Sequence, residues 1–220
     1  MYLESSSDLS DPLEVYSFPG CKSVLRTYIR NDFPQGTESK IQIIPIGYHW
    51  SPLMGKGNPL TDTPATPFRE FHWSFYGTDW NNRQINMKPL LEAKLISTYN
   101  FYSDWKDPDN LSETQYKNIL LQSVFVPCPD GMNPDTFRVY EALEAGCIPL
   151  IVHTEANDIW FRWISNYIPL LDIKSWDNAV RNMVQLLCKP EMLEIYRTQV
   201  LNGWITWSAK LKEQTRAWLL

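Results

Sequence analysis

The sequence predicts an α/β fold, built on a parallel Rossmann-type sheet that carries helices on both faces. Two apolar runs, residues 124–126 and 148–152, lack the polar alternation of a strand with one face in water. Residues 136–145 between them show helical periodicity, and Gly146 follows as a helix stop. A strand, a helix and a second strand in this order predict a parallel pair joined by a right-handed crossover.

Length and charge restrict the class of protein. A chain of 220 residues with 44% apolar content can bury one good core or two small ones. The net charge of −5 argues against a nucleic acid or an anionic membrane as partner, because both attract a basic surface. The sequence contains no apolar run of about 18 residues and no signal-peptide pattern. We therefore predict a cytoplasmic protein with no transmembrane segment and no nucleic-acid partner.

The first part of the chain is less regular. Residues 21–31 carry apolar side chains at helical spacing and predict a helix. Residues 41–46 predict a short strand, and Pro45 indicates its end or an edge position. Residues 51–67 are rich in proline and glycine without periodicity, which predicts a linker or a long surface loop.

The remaining elements follow from periodicity and from turn residues. They are strand 71–76, helix 87–96, strand 98–102, helix 111–122, helix 156–167, strand 168–173, and helices 176–188 and 191–218. In the helix after residue 111, Ser112 is the predicted N-cap of a capping box and Tyr116 faces inward.

The start of the central helix is suited to bind a phosphate. A helix N-terminus offers unpaired backbone N–H groups and a partial positive charge. Arg138 and Glu141 lie three residues apart and share a helix face. The arginine can fork onto diphosphate oxygens, and a carboxylate one turn later can accept both hydroxyls of a ribose. The alternative is an ordinary ion pair on the surface.

These residues resemble a known motif. Pro127-Cys-Pro-Asp-Gly131, followed by Thr136-Phe-Arg-Val-Tyr-Glu-Ala-Leu-Glu-Ala-Gly-Cys-Ile-Pro-Leu-Ile151, is similar to the donor-binding motif of exostosin-type (GT47-type) glycosyltransferases. In that family the motif lies in the C-terminal half of a GT-B fold. The resemblance implies that Thr136 and Arg138 lie near a diphosphate and that Glu141 lies on the ribose, and we assign Gly131 to the same donor site.

A second arginine belongs to the resemblance. The family has an arginine shortly after a Phe-x-Gly turn, and Arg83 matches it, following Gly77 by six residues. The resemblance implies that Arg83 touches the donor diphosphate. The alternative is a solvated arginine at the start of a helix.

The resemblance also implies how the chain is divided. An Arg-x-Tyr segment and an Ile-Pro-x-Gly-Tyr strand close the acceptor-side domain of the family, and residues 26–28 and 44–48 match them. A complete domain of that kind needs about 120 residues or more. We therefore predict a first domain that is reduced or missing, with a remnant at 1–50, a linker at 51–68, and a nucleotide-sugar-binding domain with C-terminal helices at 69–220. A partner chain is one way to complete the acceptor side.

Three groups are candidates for the catalytic base. Asp79 follows the first strand of the donor domain, His49 lies in a glycine-tyrosine loop, and Glu155 follows the strand that ends at residue 152. The alternatives are that Asp79 caps a turn, that His49 is a packed loop histidine, and that Glu155 caps the next helix. The one Asp-x-Asp triplet, at residues 107–109, lies in a polar turn instead of after an apolar strand. We therefore expect no metal ion and no cofactor besides the donor substrate.

The function that the resemblance implies is transfer of a sugar from a UDP- or GDP-linked donor to a glycan or another hydroxyl acceptor, without a metal ion and with inversion. The first alternative is a non-catalytic nucleotide-sugar-binding module or partner subunit of a glycosyltransferase. The second is an unrelated α/β ligand-binding domain. Animal and plant members of the family are usually membrane-anchored Golgi enzymes, so the alternative to a cytoplasmic protein is the soluble part of such an enzyme.

Overall fold

The structure is a computed structural model, and it describes residues 2–4, 13–29, 33, 36, 40–104 and 107–219. The strands are β1 (Tyr2–Glu4), β2 (Val24–Arg26), β3 (Ile41–Ile43), β4 (Phe71–Thr78), β5 (Ser97–Tyr102), β6 (Ser123–Pro127) and β7 (Ile148–Leu150). The α-helices are α1 (Glu14–Ser17), α2 (Arg83–Asn86), α3 (Lys88–Glu92), α4 (Glu113–Leu121), α5 (Phe137–Glu144), α6 (Asp158–Ser165), α7 (Trp176–Leu187) and α8 (Pro190–Leu219). Short 3₁₀ turns occupy Thr66–Phe68, Trp80–Asn82 and Glu155–Asn157.

The larger of two sheets has the strand order β5-β4-β6-β7, and all of its pairs are parallel. The predicted strand-helix-strand unit is present as β6, α5 and β7. Neighbouring residues of β6 point to opposite faces: Phe125 packs in a core with α3 and α7, whereas Val126 packs in a core with α5, α6 and α8. Helices therefore cover both faces, and the predicted α/β fold, GT-B-like with a Rossmann-type sheet, is confirmed.

The smaller sheet joins β1, β2 and β3 in that order, again in parallel. The prediction of a helix at residues 21–31 is wrong in its described part, because Val24–Arg26 form the middle strand and all three side chains are buried. A short strand between two others is buried on both faces, so its sequence need not alternate. Residues 30 and 31 lie outside the described part of the chain.

Two further elements differ from the prediction. The helix expected at 87–96 is present only as α3, which ends at Glu92, and a separate short helix, α2, precedes it before Met87. The strand expected at 168–173 is reduced to one bridge between Val152 and Ile173. Pro169 accounts for part of this reduction, since proline has no N–H to donate to a neighbouring strand.

A segment that leads from the smaller to the larger sheet is held by three carboxylates. We call residues 46–55 the crossover segment. Asp135 Oδ2 accepts the N–H of Ile46 at 3.0 Å, and Glu141 Oε1 accepts the N–H groups of His49 and Trp50 at 3.3 and 3.0 Å. Further along, Glu144 Oε2 accepts the hydroxyl of Ser51 at 3.0 Å and the N–H of Gly55 at 3.1 Å. The segment is therefore fixed to the N-terminal end and one face of α5.

The last helix spans both sheets. α8 is 30 residues long, and it packs on the core beside α5 through Val200, Leu201 and Trp204. Its distal part reaches the smaller sheet, where Gln42 Nε2 donates to Gln214 Oε1 at 3.4 Å. α8 therefore contacts elements of both halves of the structure. In the part of the chain that the structure covers, no helix has the length and apolar character needed to cross a membrane.

Candidate functional site

A cavity of about 620 Å³ lies between the two sheets. Its floor includes Gly77 and Thr78 at the end of β4, and Tyr102 at the end of β5. On the side of the smaller sheet it is lined by Tyr28 and Ile46. The carboxyl ends of parallel strands are where open α/β sheets bind their ligands. The position of the cavity therefore makes it the candidate ligand site.

Most of the predicted site residues line this cavity. They are His49, Arg83, Gly131, Thr136, Arg138 and Glu141. Asp79 and Glu155 do not belong to the lining. Asp79 is exposed, and its Oδ1 accepts the backbone N–H of Gln84 in α2 at 2.9 Å. Glu155 is exposed at the start of a 3₁₀ turn.

The N-terminus of α5 faces the cavity. Thr136 is its N-cap residue, but the hydroxyl does not bond to the helix. Thr136 Oγ1 is buried, and within the described residues it has no hydrogen-bond partner. A buried hydroxyl without a partner is uncommon, since leaving it unpaired costs about 1–3 kcal/mol. The N-cap therefore has a hydroxyl without a partner at a helix N-terminus, where backbone N–H groups at the helix start also lack partners in the preceding turn.

Arg138 lies against β4. Its guanidinium carbon is 4.4 Å from the centroid of the Phe75 ring, and Nη1 donates to Tyr116 Oη at 3.5 Å. A β-carbon at residue 77 would overlap Nη2, so Gly77 provides the space that the guanidinium occupies. Among the described residues no carboxylate forms an ion pair with Arg138.

Arg83 approaches the same end of the cavity from α2. Its Nη1 donates to the carbonyl of Thr78 at 3.0 Å, while Nε and Nη2 donate to the carbonyl of Asp130 at 3.3 and 3.0 Å. Burial and the nearby charge of Arg138 lower the pKa of Arg83 to about 10, so it remains protonated at neutral pH. Two guanidinium groups thus face one region of the cavity, and an anion bound there would relieve their repulsion.

Glu141 is 6% exposed and is already partly bonded. Its Oε1 accepts two N–H groups of the crossover segment, and Oε2 accepts the hydroxyl of Tyr116 at 2.8 Å. A carboxylate oxygen accepts about two hydrogen bonds, so Oε2 retains capacity for one more. In this arrangement Glu141 can accept one hydroxyl of a ligand at Oε2, instead of the two ribose hydroxyls expected from the sequence.

Two residues of the site were not predicted from the sequence. Asp135 lines the cavity and is 3% exposed; Oδ1 accepts the hydroxyl of Tyr140 at 2.6 Å, and burial raises the pKa of Asp135 to about 7. The available signal was an acid directly before the N-cap of the central helix. Tyr116 was correctly predicted to face inward. Its bonds to α5, however, depend on how α4 packs against α5, and this packing cannot be predicted from the sequence of α4 alone.

Within the described residues no group of three His, Cys, Asp or Glu side chains is placed to hold a metal ion. Instead, the groups that line the cavity are of the types that bind oxyanions and hydroxyl groups. Arginine forks, a free hydroxyl and a helix N-terminus bind oxyanions, and a buried carboxylate with one open position binds a hydroxyl.

Comparison with known proteins identifies one matching family and several distant relatives. Residues 59–219 match the model of the family described as "RXYLT1 C-terminal domain". The chain is 27% identical to Exostosin-1a of Danio rerio over 126 residues, which is 46% of this chain and 17% of that protein. It is 24% identical to Exostosin-1b of Danio rerio over 153 residues, or 58% of this chain and 19% of that protein. With the Exostosin-1 homolog of Caenorhabditis elegans it shares 24% identity over 110 residues, or 45% of this chain and 26% of that protein.

The chain matches at most 26% of the length of these relatives. The family match, by contrast, covers well over half of the chain, and it includes both arginines, Thr136 and Glu141. The chain therefore belongs to the RXYLT1 C-terminal domain family, and it is an exostosin-like, glycosyltransferase-related protein.

Proposed function

We propose that this chain binds a nucleotide-diphosphate sugar in the cavity between its sheets and transfers the sugar to a hydroxyl acceptor. The observation that carries the proposal is the convergence of Arg83, Arg138 and the N-terminus of α5 on one end of a cavity that also contains Glu141. Membership of an exostosin-like family supports the same chemistry. UDP- and GDP-linked donors both present the required diphosphate.

The diphosphate is proposed to lie against the two guanidinium groups, with a hydrogen bond from Thr136 Oγ1. Arginine forks match phosphate oxygens in pairs, and neither arginine has an ion-pair partner among the described side chains. Leaving-group charge develops on the diphosphate as the sugar departs, and fixed donors aimed at that charge stabilise the transition state. Two arginines and a helix N-terminus can neutralise this charge, so we propose that transfer is independent of a metal ion.

The ribose is proposed to lie next to Glu141. One hydroxyl donates to Oε2, the position that Tyr116 leaves open. Diphosphate and ribose contacts then come from successive turns of α5, with Arg138 in the first turn and Glu141 one turn later.

Transfer is proposed to proceed by a single displacement with inversion. The acceptor hydroxyl attacks the anomeric carbon as the bond to the diphosphate oxygen breaks, and the hydroxyl proton passes to a base. Of the three candidates from the sequence, His49 lines the cavity, with its ring 5.9 Å from that of Phe137. We therefore propose His49 as the proton acceptor, ahead of Asp79 and Glu155.

A second candidate function has its own support. In the described part of the chain, the smaller sheet consists of three strands of three residues each. Asp79 and Glu155 lie away from the cavity lining. Both observations favour a nucleotide-sugar-binding module whose acceptor side is completed by a partner chain.

The first experiment is a thermal-shift screen with UDP, GDP, ADP and CDP. A ligand at 100 times its dissociation constant should add about 2.7 kcal/mol to the free energy of unfolding. The second experiment uses a nucleotide sugar that contains the nucleoside diphosphate found to bind. It measures release of that nucleoside diphosphate in the presence of a panel of glycan acceptors. Glu141→Gln should weaken both signals, whereas Glu92→Gln, an exposed glutamate paired with Lys88 at 3.5 Å, should leave them unchanged.

The outcomes separate the candidates. Release of nucleoside diphosphate that depends on Glu141 supports the transferase. Saturable binding without release on any acceptor supports the binding module. If no nucleotide stabilises the protein, the donor site is not where we place it and both candidates are wrong.

A further inference from the structure

Tyr116 connects the two side chains on which the proposed function rests. It comes from α4, its residue is 7% exposed, and it lines the cavity. Its hydroxyl donates to Glu141 Oε2 at 2.8 Å and accepts from Arg138 Nη1 at 3.5 Å. The ring is held edge-on by Trp50, with centroids 5.8 Å apart.

The direction of this chain of hydrogen bonds is fixed by the groups themselves. A guanidinium can only donate, an ionised carboxylate can only accept, and a phenol can do both. The tyrosine proton therefore points to Glu141, and an oxygen lone pair faces Arg138. Burial raises the pKa of Tyr116 well above its ordinary value, which keeps the phenol protonated across the neutral range.

The other contacts of the two side chains belong to different parts of the fold. Arg138 rests on Phe75 and Gly77 of β4, whereas Glu141 is bonded to the crossover segment. The two do not form an ion pair with each other in the described structure. Tyr116 is the contact that they share. It thus relates the position of the guanidinium to that of the carboxylate.

We propose that Tyr116 is a positioning residue that sets the spacing between the diphosphate-binding guanidinium and the ribose-binding carboxylate. The inference rests on the proposed function. A ligand that carries both a diphosphate and a ribose gains from a fixed spacing, because once its diphosphate is bound its ribose already lies next to the carboxylate. A ligand that carries only the diphosphate gains nothing from it. Tyr116 therefore favours nucleoside diphosphates over free pyrophosphate.

The test is calorimetric titration of wild type and Tyr116→Phe with UDP, GDP and inorganic pyrophosphate. We expect Tyr116→Phe to weaken the better nucleoside diphosphate about tenfold, which corresponds to one hydrogen bond to a charged group. Pyrophosphate should be weakened by less than about twofold, because its contacts to the arginines do not depend on the spacing. The ratio of the two affinities is the readout, since general loosening of the fold would lower both.

A matched control removes a phenol elsewhere. Tyr196 is partly buried, and its hydroxyl donates to the carbonyl of Pro169 at 2.8 Å, away from the cavity lining. Tyr196→Phe should leave the affinity ratio unchanged. Arg138→Lys, which keeps the charge but removes the fork, should reduce the ratio as Tyr116→Phe does, and combining the two should reduce it no further.

Each result is decisive. If wild type binds pyrophosphate but neither UDP nor GDP, the proposed function fails and the role of Tyr116 fails with it. If wild type binds a nucleoside diphosphate and Tyr116→Phe leaves the ratio unchanged, the proposed function stands and the positioning role is wrong. The same conclusion follows if Arg138→Lys retains the full wild-type ratio.

Discussion

At the scale of single residues, Gly77 shows how the site depends on a missing side chain. A β-carbon there would overlap Nη2 of Arg138, the far end of a flexible side chain, so the guanidinium would move while the backbone stays. We expect Gly77→Ala to change the free energy of unfolding by less than about 1 kcal/mol and to weaken diphosphate binding about tenfold. Calorimetric titration with UDP or GDP, together with chemical denaturation, measures both effects.

Gly20 supplies the control for that substitution. It is exposed and away from the cavity lining, and a β-carbon at residue 20 would meet no atom within 4 Å. Gly20→Ala should therefore leave binding within about twofold of wild type. Equal losses in the two variants would show that the guanidinium position at Gly77 is unimportant.

The raised pKa of Asp135 should make the free energy of unfolding depend on pH. Burial raises its pKa to about 7, so between about pH 4 and about pH 7 the folded chain keeps a proton that the unfolded chain releases. The free energy of unfolding should therefore fall as pH rises through this window. At about 1.4 kcal/mol per pKa unit, the Asp135 contribution is on the order of a few kcal/mol, and Asp135→Asn should abolish it. Denaturation at several pH values across the window measures the difference.

Asp62 provides a contrast in sign. Hydrogen bonds from the backbone of Asn58 and the hydroxyl of Thr61 lower the pKa of Asp62, so its contribution is lost as pH falls below about 4. Asp62→Asn should thus leave the slope between about pH 4 and about pH 7 in place. Identical slopes for wild type and Asp135→Asn would contradict the assignment to Asp135.

The residue types of the site could be predicted from the sequence better than their bonds. Helical spacing placed Arg138 and Glu141 on one face, and both line the cavity. Their partners come from distant segments: Tyr116 from α4 and Trp50 from the crossover segment. Spacing along one helix contains no information on those partners, so the partly filled state of Glu141 could not be foreseen.

At the scale of elements, two buried arginines cap the end of the central unit. Arg69 is 8% exposed and donates to the carbonyls of Ser123 at 2.6 Å and Ala145 at 2.9 Å. Arg197 donates to the carbonyl of Gly146 at 2.7 Å, and Gly146 has a φ of +71°. Carbonyls at a helix C-terminus lack partners within the helix, and cations there complement the dipole.

We expect Arg69→Leu to lower the free energy of unfolding by at least about 3 kcal/mol, since several buried carbonyls lose their donor together. Urea denaturation measures the loss. Arg162→Leu is the matched control, because the Arg162 side chain is 76% exposed and pairs with Asp158 at 2.9 Å. Arg162→Leu should lower the free energy of unfolding by less than about 1 kcal/mol. Comparable losses would mean that the buried bonds of Arg69 contribute little.

Elements were predicted well where the pattern is local. The capping box at Ser112 and Gln115 is present, and the strand-helix-strand unit lies within two residues of its expected bounds. The prediction of a helix at 21–31 was wrong for a physical reason. Whether Val24 and Leu25 form a strand or a helix is decided by pairing with Tyr2–Glu4 and Ile41–Ile43, which are distant in the sequence.

At the scale of the whole molecule, Glu144 connects three segments. Its Oε2 accepts from Ser51 and Gly55 of the crossover segment, and its Oε1 accepts from Trp204 Nε1 of α8 at 2.8 Å. We expect Glu144→Ala to lower the free energy of unfolding by about 2–4 kcal/mol, because three donors, those of Ser51 and Trp204 being buried, lose their acceptor. Hydrogen exchange at the amide of Gly55 should accelerate.

Two measurements separate this effect from a general loss of stability. Amides within β6, which do not bond to Glu144, should accelerate only as much as the global stability falls. Glu213→Ala, at an exposed position within α8 and away from its ends, should change neither quantity. Unchanged exchange at Gly55 in Glu144→Ala would show that the crossover segment is held by other contacts.

The class of the fold could be predicted from the sequence, but the joining of its two sheets could not. Apolar runs and helical periodicity are enough to indicate parallel strands between helices. The cavity depends on carboxylates of α5 that accept backbone N–H groups of the crossover segment, and such bonds leave no periodic signal. The domain boundaries at 50 and 68 remain predictions.

The long last helix has a mechanical consequence. At about 1.5 Å per residue, 30 helical residues extend about 45 Å. This rod bonds to α5, which packs on the larger sheet, through Trp204 and to β3 of the smaller sheet through Gln214. Widening the cavity would therefore require the rod to bend or one of these two bonds to break.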